Sequence, residues 1–123
     1  METQRQKKVA RLLLKELSEI FQQDKRGILE NKLITVMDVK VSPDLSVAKI
    51  YLSFMMVQEK EHLFERINER KNEIRNLLGK SVGKQLRIVP EIIFYKDEVE
   101  EKASRLEDIL KNLNIPPAEN DNN

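Results

Sequence analysis

Basic side chains are concentrated in the middle of this chain, at a spacing suited to binding a polyanion. Residues 66 to 87 contain seven lysines and arginines and only two acidic residues. Their net charge is therefore +5, in a chain whose formal net charge is +1. The seven are Arg66, Arg70, Lys71, Arg75, Lys80, Lys84 and Arg87. Ammonium and guanidinium groups bind phosphate oxygens, so this segment predicts recognition of a nucleic-acid backbone. Aromatic residues are few, at 5%, which favours phosphate contacts over stacking on bases.

The sign of the charge reverses toward the end of the chain. From residue 91 to residue 123, nine acidic residues oppose four basic ones, a net charge of −5. A chain with one basic and one acidic region can bind a polyanion in a single orientation, with the acidic region facing away. The same pattern also fits a solvated surface of mixed charge, so charge alone leaves both interpretations open.

Residue types that carry out catalysis are scarce or poorly spaced. The only histidine, His62, lies in a charged stretch, and the chain has no cysteine. Gly79-Lys80-Ser81 matches the end of a phosphate-binding loop, but Ile74 stands where that motif requires its first glycine. No carboxylates show the apolar-flanked pairing of an acid/base pair. We therefore predict a protein that is not an enzyme and that holds no cofactor and no metal.

Length and composition indicate one soluble domain. A chain of 123 residues supports one hydrophobic core, and no apolar run approaches the ~18 residues of a membrane helix. The basic N-terminus is not followed by the apolar core of a signal peptide, and the lack of cysteine fits a reducing compartment. We expect a cytoplasmic protein with one domain over residues 1–113 and a disordered polar tail over residues 114–123.

Apolar periodicity predicts the elements that position the basic residues. Thr3 and Gln6 have the spacing of a capping box, and the apolar stripe that follows predicts a helix from Gln4 to Gln22. The stripe consists of Val9, Leu13, Leu17, Ile20 and Phe21. The other face of this helix carries basic residues, among them Arg5, Lys8 and Arg11.

Two strands joined by a tight turn follow the first helix. Pro43 presets φ for a type I turn, while Ser42 and Asp44 can bond the nearby backbone. Alternation predicts that the apolar face of the first strand carries Leu33, Thr35, Met37, Val39 and Val41. On the second strand the predicted core face carries Ala48, Ile50, Leu52 and Phe54.

The apolar stripe of the next helical segment is interrupted between Ile67 and Ile74. Arg70, Lys71 and Asn72 occupy the turn where an apolar residue should recur. Because asparagine readily adopts positive φ, we predict a kink or a two-helix junction at these three residues. The alternative is one continuous helix with an exposed basic turn.

A third strand and a last helix complete the predicted order. The strand spans Leu86 to Tyr95, and Pro90 removes one donor from its ladder, which indicates an edge position or a bulge. Amphipathic periodicity predicts the last helix from Asp97 to Leu113. The order is helix, strand, strand, helix, helix, strand, helix.

Several of these features together resemble the ribosome-binding factor A family. The first helix matches at Arg5, Val9, Glu16, Leu17 and Ile20. The more specific segments are Val39-Lys40-Val41-Ser42-Pro43-Asp44-Leu45, Ala48-Lys49-Ile50-Tyr51-Leu52-Ser53 and Leu86-Arg87-Ile88-Val89-Pro90-Glu91-Ile92 with Phe94. The resemblance covers the chain from Arg5 to Leu110.

The resemblance implies an α+β fold of the type II KH-like class, in the order α-β-β-α-α-β, with a kinked second helical segment and an added C-terminal helix. It implies a non-catalytic bacterial factor that binds the 30S subunit late in assembly and assists maturation of 16S rRNA, at its 5′ end and decoding region, chiefly in the cold. Family members kink at an Ala-x-Gly step, which corresponds here to Arg70-Lys71-Asn72, so the kink must rely on Asn72 or be weaker.

We predict that nine basic residues bind RNA phosphates. They are Arg5, Lys8, Arg11, Arg70, Lys71, Arg75, Lys80, Lys84 and Arg87. The expected partners are the 30S ribosomal subunit and its 16S rRNA, with no membrane and no small-molecule substrate, and we expect a monomer. A rival hypothesis is a protein-interaction module that uses the acidic helix from Asp97 to Leu113. A third, a nucleotide-hydrolysing enzyme, would use Gly79-Lys80-Ser81.

Overall fold

The computed structural model describes residues 2–54 and 57–97. Within them the elements are α1 (Gln4–Gln23), β1 (Thr35–Val41), β2 (Val47–Ser53), α2 (Lys60–Glu69), α3 (Lys71–Val82) and β3 (Glu91–Lys96). This α-β-β-α-α-β order confirms the predicted type II KH-like α+β fold. The predicted C-terminal helix after Asp97 and the predicted tail at residues 114–123 lie outside the described residues.

The three strands form one mixed sheet with β2 at its centre. β2 pairs antiparallel with β1 and parallel with β3, so β3 is an edge strand, as predicted. A parallel pair cannot be joined by a tight turn, and α2 and α3 supply the crossover between β2 and β3. Helix α1 packs against β1 and α3. The helices therefore cover one face of the sheet and leave the other face outward.

One hydrophobic core fills the space between the helices and the sheet. In the predicted stripe of α1, four residues are buried and Ile20 is partly buried, and the predicted core face of β2 is buried. The buried helical residues include Val9, Leu13, Leu17, Phe21, Leu63, Ile67, Ile74, Leu78 and Val82. The buried strand residues include Ala48, Ile50, Leu52, Ile92 and Phe94. Removal of this apolar area from water is the main stabilising contribution to the fold.

The predicted apolar face of the first strand is wrong in its first half. The pairing register between β1 and β2 shifts between Val36 and Asp38, where Met37 is the extra residue of a bulge. One extra residue moves all preceding side chains to the opposite face. The buried residues are therefore Ile34, Val36, Val39 and Val41, whereas the exposed ones include Leu33, Thr35 and Met37.

The helical segment divides into two helices, as predicted, but Asn72 does not cause the break. Helix α2 ends at Glu69 and α3 begins at Lys71, and Arg70 between them has φ −98° and ψ 15°. Asn72 lies in the first turn of α3 and is not among the residues with positive φ. The junction is therefore made by the non-helical backbone of Arg70 alone, which needs no left-handed residue.

Strand β3 begins at Glu91, five positions later than predicted. Pro90 lacks an N–H group and cannot donate to the ladder, so residues 86–90 form an irregular segment that leads into the strand. Within β3, Ile92 and Phe94 are buried. The later start leaves the preceding backbone carbonyls available to other partners.

The turn between β1 and β2 is held by a network centred on Asp44. The Leu45 N–H donates to the Ser42 carbonyl at 2.9 Å, which closes the predicted chain reversal. The Asp44 carboxylate accepts hydrogen bonds from the hydroxyls of Ser46 and Ser42, both at 2.7 Å, and from the Ser46 N–H at 3.1 Å. These donors stabilise the ionised form and lower the pKa of Asp44 to about 2, below the ordinary 3.8.

This network predicts a pH dependence with a definite sign. Because the pKa of Asp44 is lowered in the folded state, its contribution to stability is present above the unfolded value of 3.8 and is lost as pH falls through about 2. At pH 3.8, where an ordinary aspartate is half protonated, a carbon-13 titration should find Asp44 still ionised. Asp44→Asn should lower the melting temperature at pH 7 and make it less dependent on pH below 4. A titration midpoint near pH 4 would contradict the hydrogen-bond network.

Candidate nucleic-acid interface

A basic groove lies between α3 and the segment that leads into β3. Its volume is about 490 Å³, and it is lined by Arg26, Arg75, Asn76, Gly79, Lys80 and Val89. Three of these six residues carry a positive charge and none carries a negative one. Gly79 contributes no side chain, and a Cβ placed there would lie 3.6 Å from Val89 Cγ2. Positive side chains therefore lie around a surface at Gly79 that no side chain obstructs, an arrangement that suits a phosphate chain.

Arg75 forms one wall of this groove and also holds the fold together. Its Nε donates to the Pro90 carbonyl at 3.2 Å, and its Nη2 donates to the Val89 carbonyl at 2.7 Å. These bonds fix the irregular backbone before β3 against α3. The side chain is half-buried, and much of its hydrogen-bonding capacity is already used within the protein. Its charge still contributes to the positive potential of the groove.

Two further arginines meet at a single carboxylate beside the groove. The Glu73 carboxylate lies 3.4 Å from Arg70 Nη1 and 3.7 Å from Arg26 Nη1. One negative charge thus orients two positive ones, and the cluster keeps a net positive charge. Arg26 was not among the predicted site residues. It lies in the loop after α1, and its place in the groove depends on packing between segments far apart in the chain.

The loop that carries Arg26 is fixed by capping and by a second arginine. Asp24 ends α1 in a left-handed conformation, and its carboxylate accepts the N–H groups of Ile28 and Leu29 at 2.8 and 3.0 Å. Arg66 Nε donates to the Ile28 carbonyl at 2.8 Å, and its Nη2 donates to the Gly27 carbonyl at 3.3 Å. Arg66 therefore supports the loop, much as Arg75 supports the segment before β3.

Two of the nine predicted RNA-binding residues, Arg75 and Lys80, line this groove, and Arg70 lies beside it in contact with Glu73. The other six are placed on nearby elements and do not line it. Lys71 is half-buried at the start of α3, and Lys84 and Arg87 are exposed after α3. The remaining three, Arg5, Lys8 and Arg11, are exposed on the first half of α1. Their role in RNA binding stays a prediction.

The geometry gives no support to the alternative chemistries. Gly79-Lys80-Ser81 lies inside α3, and the Ser81 hydroxyl donates to the Leu77 carbonyl at 3.3 Å, so this motif is not a loop between a strand and a helix. His62 is exposed, with its Nε2 3.4 Å from a Glu30 carboxylate oxygen. Across residues 2–54 and 57–97, no group of three or more histidines, cysteines and acids could hold a metal ion.

Helix α1 is the longest helix within residues 2–54 and 57–97, with 20 residues, and basic side chains interrupt its sequence. None of the described helices combines the length and the apolar composition needed to cross a membrane.

The element order and the basic groove on the third helix define a type II KH-like domain. The family model of ribosome-binding factor A matches residues 5–110. A ribosome-binding factor A of Cytophaga hutchinsonii is 45% identical over 122 residues, which cover 99% of this chain and 92% of that protein. This chain therefore belongs to the ribosome-binding factor A family.

Two solved structures share the fold. The crystal structure of ribosome-binding factor A from Thermus thermophilus aligns with a TM-score of 0.62 at 23% identity, over 74% of this chain and 94% of that one. A model of the Thermus thermophilus protein fitted into a cryo-electron microscopy map of its complex with the 30S subunit aligns with a TM-score of 0.54 at 24% identity, over 68% of this chain and 86% of that one. At these identities the likeness concerns the fold.

Arg75 donates two hydrogen bonds to backbone carbonyls, whereas Lys80 donates none to the backbone of the described residues that form the groove, so we predict unequal effects of their mutation on stability. Arg75→Ala should lower the free energy of unfolding by about 1–3 kcal/mol, because two hydrogen bonds from a charged donor are lost. Lys80→Ala should change it by less than about 0.5 kcal/mol, since Lys80 is exposed. Urea unfolding measures both free-energy changes. Equal changes would contradict the conclusion that Arg75 stabilises the fold.

Proposed function

We propose that this protein is a non-catalytic ribosome assembly factor that binds the 30S subunit through phosphates of 16S rRNA. Membership of the ribosome-binding factor A family supports a ribosomal partner. The related Thermus thermophilus protein, fitted into a map of a 30S complex, supports the small subunit as that partner. The basic groove carries the proposal, because it gathers cations from two separate parts of the chain, the loop after α1 and helix α3, on a surface without an acidic lining residue.

The groove binds RNA by electrostatic attraction and shape. Lys80 is exposed and Arg26 is half exposed, so both side chains can reach phosphate oxygens in solvent. Arg70 shares the Glu73 carboxylate with Arg26 and adds charge at the same end of the groove. Contacts of this kind fix the position of a nucleic acid and do not read its sequence. Specificity then comes from the shape of the folded rRNA element that fits the groove.

The remaining expectations complete the proposal. The factor acts in the cytoplasm as a monomer and assists late maturation of 16S rRNA at its 5′ end and decoding region, with the greatest need in the cold. Exposed basic residues extend the contact with RNA beyond the groove. They are Arg5, Lys8 and Arg11 on α1 and Lys84 and Arg87 after α3. These features follow from the family resemblance and from the exposure of these five basic side chains.

Charge removal in the groove tests the proposal. Arg26→Ala and Lys80→Ala should each weaken co-sedimentation with 30S subunits, and each should reduce the slope of log affinity against log salt by about 1, because one phosphate contact is lost. Lys32→Ala is the matched control, since this exposed lysine lines a different groove with Leu33 and Thr35. Affinities and slopes equal to those of the unchanged protein in both groove variants would refute the site.

A salt titration of the unchanged protein separates the proposal from the protein-interaction alternative. Six phosphate contacts predict a fall in affinity of about a thousandfold between 50 and 200 mM salt, because each contact releases counterions. Subunit binding that changes less than about threefold over this range would favour an interface with a ribosomal protein. The measurement is a filter or sedimentation assay with purified 30S subunits at four salt concentrations.

A further inference from the structure

The outward face of the sheet carries a cluster that the groove does not use. Residues alternate across β2, so that Ala48, Ile50 and Leu52 are buried and the side chains between them face outward. In register, Lys40 pairs with Lys49 and Tyr51 pairs with Tyr95. We call these four residues, Lys40, Lys49, Tyr51 and Tyr95, the outer-face cluster. It lies on the side of the sheet opposite to the helices.

The two lysines of the outer-face cluster form a like-charge pair. Lys40 and Lys49 are direct partners in the antiparallel ladder of β1 and β2, where side chains of adjacent strands lie close together. Like charges directly opposite each other are destabilising, whereas opposite charges at such positions are stabilising. Among the described residues, no carboxylate forms an ion pair or a hydrogen bond with either ammonium group. An anion between the two ammonium groups would relieve this repulsion.

The two tyrosines of the cluster form an aromatic platform. Their rings are stacked, with centroids 5.4 Å apart and an interplanar angle of 22°. The Lys40 ammonium lies 5.8 Å from the centroid of Tyr51. Because β3 is the edge strand of the described sheet, none of the strands within residues 2–54 and 57–97 covers the side of Tyr95 that faces away from Tyr51. Tyr95 is 38% exposed, so another flat ring can extend the stack there.

We propose that the outer-face cluster binds single-stranded RNA. A base stacks on Tyr95, and the adjoining phosphates lie near Lys40 and Lys49. Single-stranded nucleic acid offers a partner for each part of the cluster, a flat base for the exposed ring of Tyr95 and a negative charge for the two lysines. Two acids, Asp38 and Glu91, flank the cluster on the same face, and they limit the anion to the central row of lysines. The Asp38 carboxylate accepts the N–H of Val39.

This surface is separate from the groove proposed for the 30S subunit. The groove lies on α3, whose buried residues Ile74 and Leu78 pack onto the inner face of the sheet. An RNA strand on the outer face would therefore approach from the other side of the molecule. The protein could hold a folded rRNA element in the groove and an unpaired strand on the sheet at the same time. Neither contact requires the other, so each can fail alone.

Intrinsic fluorescence provides a direct test, because both tyrosines of the chain lie in the cluster and the chain has no tryptophan. Titration of the full-length protein with decauridylate at low salt should quench the tyrosine emission to a plateau. Inorganic polyphosphate at the same charge concentration should not quench it, because it has no bases to stack. Absence of quenching by decauridylate, or equal quenching by polyphosphate, would overturn the proposal.

Variants locate the contact. Tyr95→Ala should weaken binding of a labelled decauridylate about tenfold or more, whereas Tyr95→Phe, which keeps the ring, should stay within twofold. Lys49→Ala should weaken binding and reduce its salt dependence, and the Lys32→Ala control should change neither. Melting curves confirm that each variant is folded. If Tyr95→Ala does not fold, Lys49→Ala and the quenching of the unchanged protein decide the question. Equal affinities for all variants would overturn the proposal.

Other occupants of the face give different results. Poor quenching of both tyrosines by acrylamide in the free protein would show that the face is already covered, by the acidic residues after Asp97 or by a second copy. Either result would overturn the assignment to RNA, and sedimentation equilibrium would identify the second copy. Because decauridylate binding is measured without ribosomes, its failure leaves the 30S proposal untouched, and loss of 30S binding by the groove variants leaves this one untouched.

Discussion

Parallel pairing of β2 with β3 is the constraint on which the rest of the structure depends. The two strands are neighbours in the sheet and run in the same direction, so the chain between them must cross over one face. Helices α2 and α3 make that crossing, and α1 packs beside α3 on the same face. Two consequences follow together. The helical side gains a groove where α3 meets the start of β3, and none of the three described helices covers the other side of the sheet.

The groove exists because charged side chains stabilise irregular backbone. Residues 86–90 lie outside the ladder, Pro90 has no N–H to donate, and the carbonyls of Val89 and Pro90 need donors from elsewhere. Arg75 supplies two donors there, and Arg66 does the same for the loop of residues 24–31. A positive residue in this chain can thus support a loop, bind a ligand or contribute to both. Net charge alone does not distinguish these roles.

Much of the fold follows from local patterns that agree with tertiary packing. The stripe of α1, the turn at Ser42-Pro43-Asp44-Leu45 and the alternation of β2 each depend on neighbours in the chain, and all three are confirmed. The bulge at Met37 was missed because both faces of that strand carry apolar residues, and the choice between them depends on the pairing with β2. The helix break was found from an interrupted stripe, yet its cause lies in the backbone of Arg70, which no side-chain pattern reveals.

The same limit applies to the candidate surfaces. The segment rich in basic residues correctly indicated α3 and Lys80 as part of the basic surface. Arg26 reaches the groove only because capping by Asp24 and support from Arg66 bring its loop to Glu73. The low aromatic content argued against stacking on bases, and this argument assumes that aromatic residues are dispersed. Parallel pairing instead places both tyrosines side by side on the face of the sheet opposite the described helices. Composition counts residues, whereas recognition depends on their register, and strand register is a property of the whole sheet.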